Sequence, residues 1–321
     1  MVEDELHKKE LIEEQRAWLK THRAQTGLSW PELAKRLNVK DGTLSQFGGE
    51  RGYAGREVPL ADAVVRYREV LAARDTTFVD APEIPPFFQT QTSDEIHNIL
   101  HWCMRGKLVG GALGSGIGKT TACERFKELY PNVFIATLLN SQGGQGPLQI
   151  AVLAALGIKN QTGTPHSLSG LIIERLMTMH KPVLIIDEAQ HLSTNSLEEI
   201  RGWHDATGAG MALFGDKRLH DLIYHGKGKG DIPQFRRRIK MMPTRVQPYT
   251  QDVIALAAAW NVQERRMIVE LERIAQRPGG LGLATQALEM AGLLASSEKK
   301  VMDIGHLQEA IADTLRRGID A

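Results

Sequence analysis

A glycine-rich segment between an apolar run and a helical pattern constrains the fold of this chain more than any other feature. It reads GSGIGKT over residues 114–120 and follows the apolar run 108–113. Glycines let successive backbone N–H groups turn toward one anion, and the N-terminus of the following helix adds its positive end. Lys119 is placed to reach the β- and γ-phosphates of a nucleotide, and the Thr120 hydroxyl to bind magnesium. The segment therefore predicts a phosphate-binding loop between a strand and a helix.

This loop departs from the GxxxxGK[ST] pattern at one position, because Leu113 stands where the first glycine is expected. The turn must then be made with a side chain present, helped by Gly114. Since the rest of the pattern is intact, we favour a nucleotide phosphate site over a chance glycine-rich turn. The predicted nucleotide-binding residues are Gly114, Ser115, Gly116, Ile117, Gly118, Lys119, Thr120 and Thr121.

A second motif consists of the apolar run 183–186 followed by Asp187 and Glu188. Four buried strand residues place Asp187 at the carboxyl end of a strand, where ligands bind in open α/β sheets. We expect Asp187 to hold Mg²⁺ through water and Glu188 to accept a proton from the attacking water. Alone, the run is better explained by a strand that enters a charged loop, but together with the phosphate loop it indicates a nucleotide hydrolase.

A third apolar run, residues 211–214, ends in Gly215 and Asp216. If this run is a strand between the other two, the Asp216 side chain is placed to orient the attacking water. A simple turn at Gly215 and Asp216 is the alternative.

The alternation of helical and strand patterns predicts an α/β core over residues 93–246, with a parallel sheet and helices on both faces. The predicted helices are 96–104, 120–130, 148–156, 166–179 and 197–206, and the predicted strands are 108–113, 133–137, 183–187 and 211–214. Residues 251–317 lack a strand pattern, so we predict an all-helical C-terminal domain over 247–321. Three prolines in residues 82–86 predict an extended linker over 79–92.

The N-terminal segment 1–78 is predicted to be helical and to contain a helix-turn-helix. Ser29 and Glu32 fit a capping box before one short helix, and a second helix is predicted over 41–47. The predicted DNA-binding residues on and after this second helix are Thr43, Ser45, Gln46 and Arg51. A third helix is predicted over 59–74, and helix packing without a ligand is the alternative. Residues 1–75 hold 13 basic and 13 acidic residues, so this segment alone is not expected to bind DNA tightly.

The segment 217–245 is strongly basic, with nine Lys or Arg and two Asp, in a chain whose net charge is +1. Lys227 and Lys229 lie in a glycine-spaced stretch and are predicted to contact DNA phosphates. The Arg236-Arg237-Arg238 run fits either DNA contact or donation of an arginine to a neighbouring subunit's nucleotide. We expect Arg238 not to be buried without a partner, and a neighbour's γ-phosphate would be such a partner. A solvated charged face is the alternative.

The composition limits the cellular setting. The N-terminus lacks the apolar core of a signal peptide, and no apolar run is long enough to span a membrane, so a soluble cytoplasmic protein is expected. The two cysteines provide no disulfide framework.

Taken together, these motifs resemble the AAA+ ATPases and, within them, the transposition protein B family of Mu-type phages. The resemblance covers nearly the full length and rests on GLSWPELAKRLNVKDGTLSQF, FFQTQT, the phosphate loop, LIIDEAQHL, ALFGDKRL, the arginine run and AQRPGGLGLATQALEMA. The IstB, TniB and TnsC groups share the ATPase core and are weaker matches.

The resemblance implies an ATP-driven homo-oligomer, a filament or ring, that coats double-stranded DNA with little sequence preference and delivers it to a DDE transposase in a bacterial host. It also implies that the C-terminal domain is a helical lid. Asp216 falls where the family usually has the first sensor asparagine, and Arg238, or alternatively Arg237, matches the arginine that acts in trans. The second sensor arginine is expected within PGGLGL, residues 278–283, at about Gly282, but no arginine stands in this stretch, so the usual contact between lid and nucleotide is not expected.

Two other functions are compatible with the same motifs. One is a helicase loader built on the same ATPase core. The other is a repressor-like DNA-binding regulator that uses ATP only for assembly.

Overall fold

Residues 2–49, 53–78, 87–226 and 232–319 are described by the computed structural model. Arg51, Lys227, Lys229 and most of the predicted linker lie outside these residues. The chain divides into two units, Met1–Ala81 and Pro82–Ala321. Among the described residues, no helix is both long and apolar enough to cross a membrane.

The first unit consists of helices. They are α1 (Val2–Thr26), α2 (Trp30–Leu37), α3 (Asp41–Phe47) and α4 (Val58–Phe78). The carboxylate of Glu32 accepts hydrogen bonds from the N–H and the hydroxyl of Ser29 at the start of α2, as the capping pattern predicts. Gln46 is exposed on α3, whereas Thr43 and Ser45 are half-buried. The helices are thus present, and the DNA-binding role of α3 stays a prediction.

The second unit is built on a parallel sheet with the strand order β2-β3-β4-β1-β5. The strands are β1 (Leu108–Leu113), β2 (Val133–Thr137), β3 (Val183–Asp187), β4 (Gly210–Gly215) and β5 (Thr244–Arg245). The predicted parallel sheet is confirmed, while the two-residue β5 is too short to leave a sequence pattern. Because β4 pairs with both β1 and β3, the residue that follows β4, Asp216, lies between the phosphate loop and the acidic pair.

Helices cover both faces of the sheet, as predicted. They are α5 (Gln91–Cys103), α6 (Lys119–Leu129), α7 (Gln145–Ala155), α8 (Pro165–Met177), α9 (Thr194–Thr207), α10 (Lys217–Tyr224) and α11 (Pro233–Arg238). Ile185 and Phe214 belong to the core formed with α5 and α6. Leu184 and Leu213 belong to the core formed with α7 to α11. Successive residues of these strands thus point into the two apolar cores in turn, which explains why the strands are continuous apolar runs in the sequence.

Polar caps explain the largest boundary error, which lies at the start of α5. The helix begins at Gln91 rather than at residue 96, so its first turn overlaps the end of the predicted linker. Thr90 caps it, since its hydroxyl oxygen accepts the Ser93 N–H at 3.0 Å. The first turn carries polar side chains, and a search for apolar spacing misses it. The short, charged helices α10 and α11 were not predicted either, because they also lack a long stretch of apolar spacing.

The C-terminal residues of the second unit form a helical bundle with its own apolar core. Its helices are α12 (Thr250–Ala259), α13 (Arg265–Ala275), α14 (Gly280–Ser297) and α15 (Ile304–Ile319). No strand occurs among the described residues of this bundle, in agreement with the sequence pattern. Asp252 ties the bundle to the core: its buried carboxylate accepts hydrogen bonds from the N–H and hydroxyl of Thr92 and from the N–H of Tyr249.

Candidate active site

The phosphate loop lies between the end of β1 and the start of α6. Gly116 and Gly118 have left-handed backbone angles, with φ of 71° and 96°, which favour glycine. Leu113 is the last residue of β1 and its side chain is fully buried in the core. It does not have a positive φ, so this position accepts a leucine, and the departure from the usual motif is explained.

Lys119 is held inside this loop. Its Nζ donates to the carbonyl oxygens of Leu113 at 3.0 Å and Gly114 at 2.8 Å. Burial lowers the pKa of Lys119, although the carboxylates of Asp187 and Glu188 act in the opposite direction. A partly desolvated ammonium group aimed into an anion-binding loop is well suited to a nucleotide phosphate.

Asp187 and Thr120 meet at the centre of the site. The Thr120 hydroxyl donates to Oδ2 of Asp187 at 2.6 Å, and the N–H of Glu188 donates to Oδ1 at 2.9 Å. Asp187 is fully buried, and this burial raises its pKa. A hydroxyl and a carboxylate oxygen side by side are hard donors of the kind that Mg²⁺ takes together with water and phosphate oxygens. The two residues therefore fit the predicted magnesium site.

Glu188 lines the same cavity from the turn after β3. Its backbone is left-handed, with φ of 56°, and it begins the short 3₁₀ helix Ala189–His191. Its Oε2 accepts a hydrogen bond of 2.5 Å from Nε2 of Gln190. Among the described residues, no hydrogen bond to Oε1 is present. One carboxylate oxygen is thus fixed and the other is open, as a general base requires.

Asp216 lies between the two motifs, as predicted, but its carboxylate is engaged within its own helix. Its Oδ1 accepts the Arg218 N–H at 2.8 Å and caps α10. Its Oδ2 accepts from Nε and Nη2 of Arg218 at 2.9 and 2.8 Å. Burial alone would raise the pKa of Asp216, but the hydrogen bonds from Arg218 lower it overall. The side chain that we expected to orient water is therefore paired with an arginine, and the alternative of a simple turn is replaced by a helix cap.

A cavity of about 370 Å³ lies against the phosphate loop. This is the size of a small-molecule site. Apart from the loop, the start of α6 and Glu188, it is lined by Phe87, Phe88, Thr90, Ser93, Leu281, Gly282 and Thr285. Apart from Gly282, none of these residues was predicted to belong to the site, although Phe87, Phe88 and Thr90 lie in the quoted FFQTQT stretch.

The C-terminal helical bundle contacts the phosphate loop at glycines. The N–H of Gly282 donates to the carbonyl oxygen of Gly116 at 2.9 Å. A Cβ atom on Gly116 would lie 1.9 Å from the carbonyl oxygen of Gly279, so the two backbones meet where neither has a side chain. The bundle therefore contacts the phosphate loop through its backbone.

The two candidate arginines lie at the end of α11, and neither lines the cavity. Arg238 donates from Nε to Oδ1 of Asp205 at 2.8 Å, and half of its side chain is exposed. Arg238 is therefore exposed and paired within its own subunit by Asp205 on α9, and its action on a neighbour's nucleotide stays a prediction. Arg237 is exposed and forms no ion pair with a described residue.

The sheet, its helices and the phosphate loop together form a AAA+ P-loop ATPase-like fold. A family model described as AAA domain matches residues 114–223. The solved structure of Cdc6p from Pyrobaculum aerophilum superposes with a TM-score of 0.53 at 16% identity, covering 70% of this chain and 67% of that one. At this identity the likeness shows the fold alone.

Sequence comparisons place the chain beside a particular group of phage proteins. A model described as Mu B transposition protein, C terminal, matches residues 237–314. The chain is 25% identical to the ATP-dependent target DNA activator B of Escherichia phage Mu, over 94% of this chain and 95% of that protein. It is 26% identical to the Mu-like prophage FluMu DNA transposition protein B of Haemophilus influenzae, over 84% of this chain and 93% of that protein. The resemblance to Mu-type transposition protein B is thereby confirmed.

Proposed function

We propose that this chain is a DNA-stimulated ATPase that assembles on double-stranded target DNA in its ATP-bound form, and that it delivers this DNA to a DDE transposase and activates it. The observation that carries the proposal is the similarity, over 94% of the chain, to a protein named ATP-dependent target DNA activator B. The nucleotide site agrees with this function, because Lys119, Thr120 and Glu188 line one cavity and Asp187 bonds to Thr120.

The proposed hydrolysis uses residues of that cavity. The loop N–H groups and Lys119 bind the β- and γ-phosphates of ATP, and Thr120 and Asp187 hold Mg²⁺, which offsets the negative charge of the phosphates. Oε1 of Glu188 accepts a proton from the water that attacks the γ-phosphorus. The bond from this phosphorus to the β–γ bridging oxygen breaks, and ADP and phosphate leave.

DNA binding is proposed to combine weak contacts from many subunits. The candidate contacts are Thr43, Ser45, Gln46 and Arg51 in the first unit, and Lys227 and Lys229 in the basic segment. Each set carries few charges, so one subunit is expected to bind DNA weakly and with little sequence preference. Oligomerisation joins many such contacts on one duplex and multiplies the affinity. If ATP drives assembly, DNA binding should therefore depend on ATP.

We also propose that an arginine of α11 acts on the nucleotide of a neighbouring subunit. Arg238 is the first candidate and Arg237 the alternative. Arg238 is available despite its partner, because a half-exposed ion pair such as the one with Asp205 contributes little stability and is easily exchanged. An arginine added in trans stabilises the charge of the transition state, so hydrolysis becomes fast only in the assembled oligomer.

Phosphate release tests the proposed function. We expect DNA of arbitrary sequence to raise the rate, and a cognate DDE transposase to raise it further, because both act on the assembled form. Lys119→Ala is the control for release by a contaminating ATPase. A rate that responds to DNA but not to any transposase would favour the helicase loader, and a footprint on one operator sequence would favour the regulator.

A further inference from the structure

Gln190 lies at the centre of the 3₁₀ helix Ala189–His191, directly after the acidic pair. It is half-buried and is not part of the cavity lining. Its side chain nevertheless connects two parts of the active site. Nε2 donates to Oε2 of Glu188 at 2.5 Å, and Oε1 accepts the backbone N–H of Asp216 at 3.3 Å.

The chemistry of this bridge requires a side chain that donates and accepts at the same time. The carboxylate of Glu188 needs a donor, and the N–H of Asp216 needs an acceptor, and a primary amide offers both. The bridge therefore joins the turn after β3 to the end of the neighbouring strand β4.

Gly215 makes room for the bridge. A Cβ atom at this position would lie 2.7 Å from Oε1 of Gln190 and 3.0 Å from its backbone nitrogen. The end of β4 thus approaches Gln190 as closely as it does because residue 215 has no side chain.

From this geometry we propose that Gln190 is a positioning residue, which holds Oε2 of Glu188 against the end of β4 and thereby directs Oε1 toward the attacking water. The inference deepens the proposed function, because it rests on Glu188 as the general base. Glutamate carboxyl groups rotate easily about their last bond. A carboxylate fixed at one oxygen loses this freedom before ATP binds, which brings proton transfer closer to its productive geometry.

The first test is the Gln190→Met variant, which keeps the length of the side chain and removes both hydrogen bonds. We expect kcat for DNA-stimulated ATP hydrolysis to fall about tenfold, which is less than the loss expected when the general base itself is removed. The KM for ATP and the affinity for DNA in the presence of ATP should stay within about twofold, because Gln190 does not line the cavity and is not one of the proposed DNA contacts. His191→Ala in the same turn is the matched control and should retain the wild-type kcat. A loss shared equally by kcat, KM and DNA binding would assign Gln190 a merely structural role and overturn the proposal.

A second variant approaches the bridge from the other side. Gly215→Ala should push the Gln190 side chain away from β4 and lower kcat in the same direction. If Gly215→Ala and Gln190→Met both hydrolyse ATP at the wild-type rate, the proposal is wrong.

A double-mutant comparison shows whether Gln190 acts through Glu188. In a Glu188→Gln background, single-turnover phosphate release should be the same with Gln190 or Met at position 190, since the group being positioned is already gone. A further tenfold loss in this background would show that Gln190 acts elsewhere. If Glu188→Gln alone hydrolyses ATP normally, the base assignment fails instead, which separates the failure of the proposed function from that of this inference.

Discussion

Lys119→Ala is expected to abolish ATP-dependent DNA binding. The variant removes the ammonium group that the loop carbonyls of Leu113 and Gly114 hold in place, and with it the main positive charge on the β- and γ-phosphates. Without bound ATP the subunits should not assemble, and each alone has few contacts to DNA. Fluorescence anisotropy with a labelled duplex, with and without ATP, measures this directly.

Glu188→Gln should have the opposite effect on the DNA-bound state. The amide has nearly the same shape as the carboxylate, so the variant should retain ATP. Because the amide cannot accept the proton, the rate of hydrolysis should fall by roughly two orders of magnitude or more. Since the ATP-bound form persists, the complex with DNA should dissociate more slowly than that of the wild type. Hydrolysis of ATP by Glu188→Gln at the wild-type rate would contradict the assignment of Glu188 as the base.

Mixing two inactive variants should restore ATPase activity if Arg238 acts in trans. Arg238→Ala retains its own phosphate loop and Glu188. Glu188→Gln retains Arg238 and is expected to bind ATP and assemble. At mixed interfaces the intact Glu188 of one subunit meets the intact Arg238 of its neighbour, and hydrolysis should return at those sites.

The same mixture made with Arg237→Ala shows which arginine is used. Recovery with only one of the two arginine variants identifies that residue as the one that acts in trans. An Arg238→Ala variant that is fully active alone would remove Arg238 from the mechanism. A mixture that stays inactive, although both variants bind the same DNA, would also exclude Arg238 from the mechanism.

Local patterns predicted the α/β core well, because β1, β3 and β4 are buried along their whole length. The bounds predicted for β2 and β3 are those observed, and the phosphate loop and acidic pair lie where their motifs place them. Apolar runs that end at Gly, Thr or Asp carry this information within a few residues of sequence. The short helices α10 and α11 carry no comparable apolar run.

Contacts between residues far apart in the chain could not be predicted from local sequence patterns. Asp205 lies 33 positions before its partner Arg238, and nothing local to either residue indicates the pair. The backbone contact between Gly282 and Gly116 depends on how the C-terminal bundle packs against the phosphate loop. Gln190 stands inside the quoted LIIDEAQHL motif, but its role emerges only when the sheet order brings Asp216 beside it.

Electron microscopy of the chain with a long duplex tests the central claim most directly. With a nonhydrolysable ATP analogue, we predict regular protein assemblies that cover DNA of any sequence, and with ADP, bare DNA. Lys119→Ala should give bare DNA under both conditions. Equal coating of the DNA with the analogue, with ADP and without nucleotide would contradict an ATP-dependent target-DNA-binding protein.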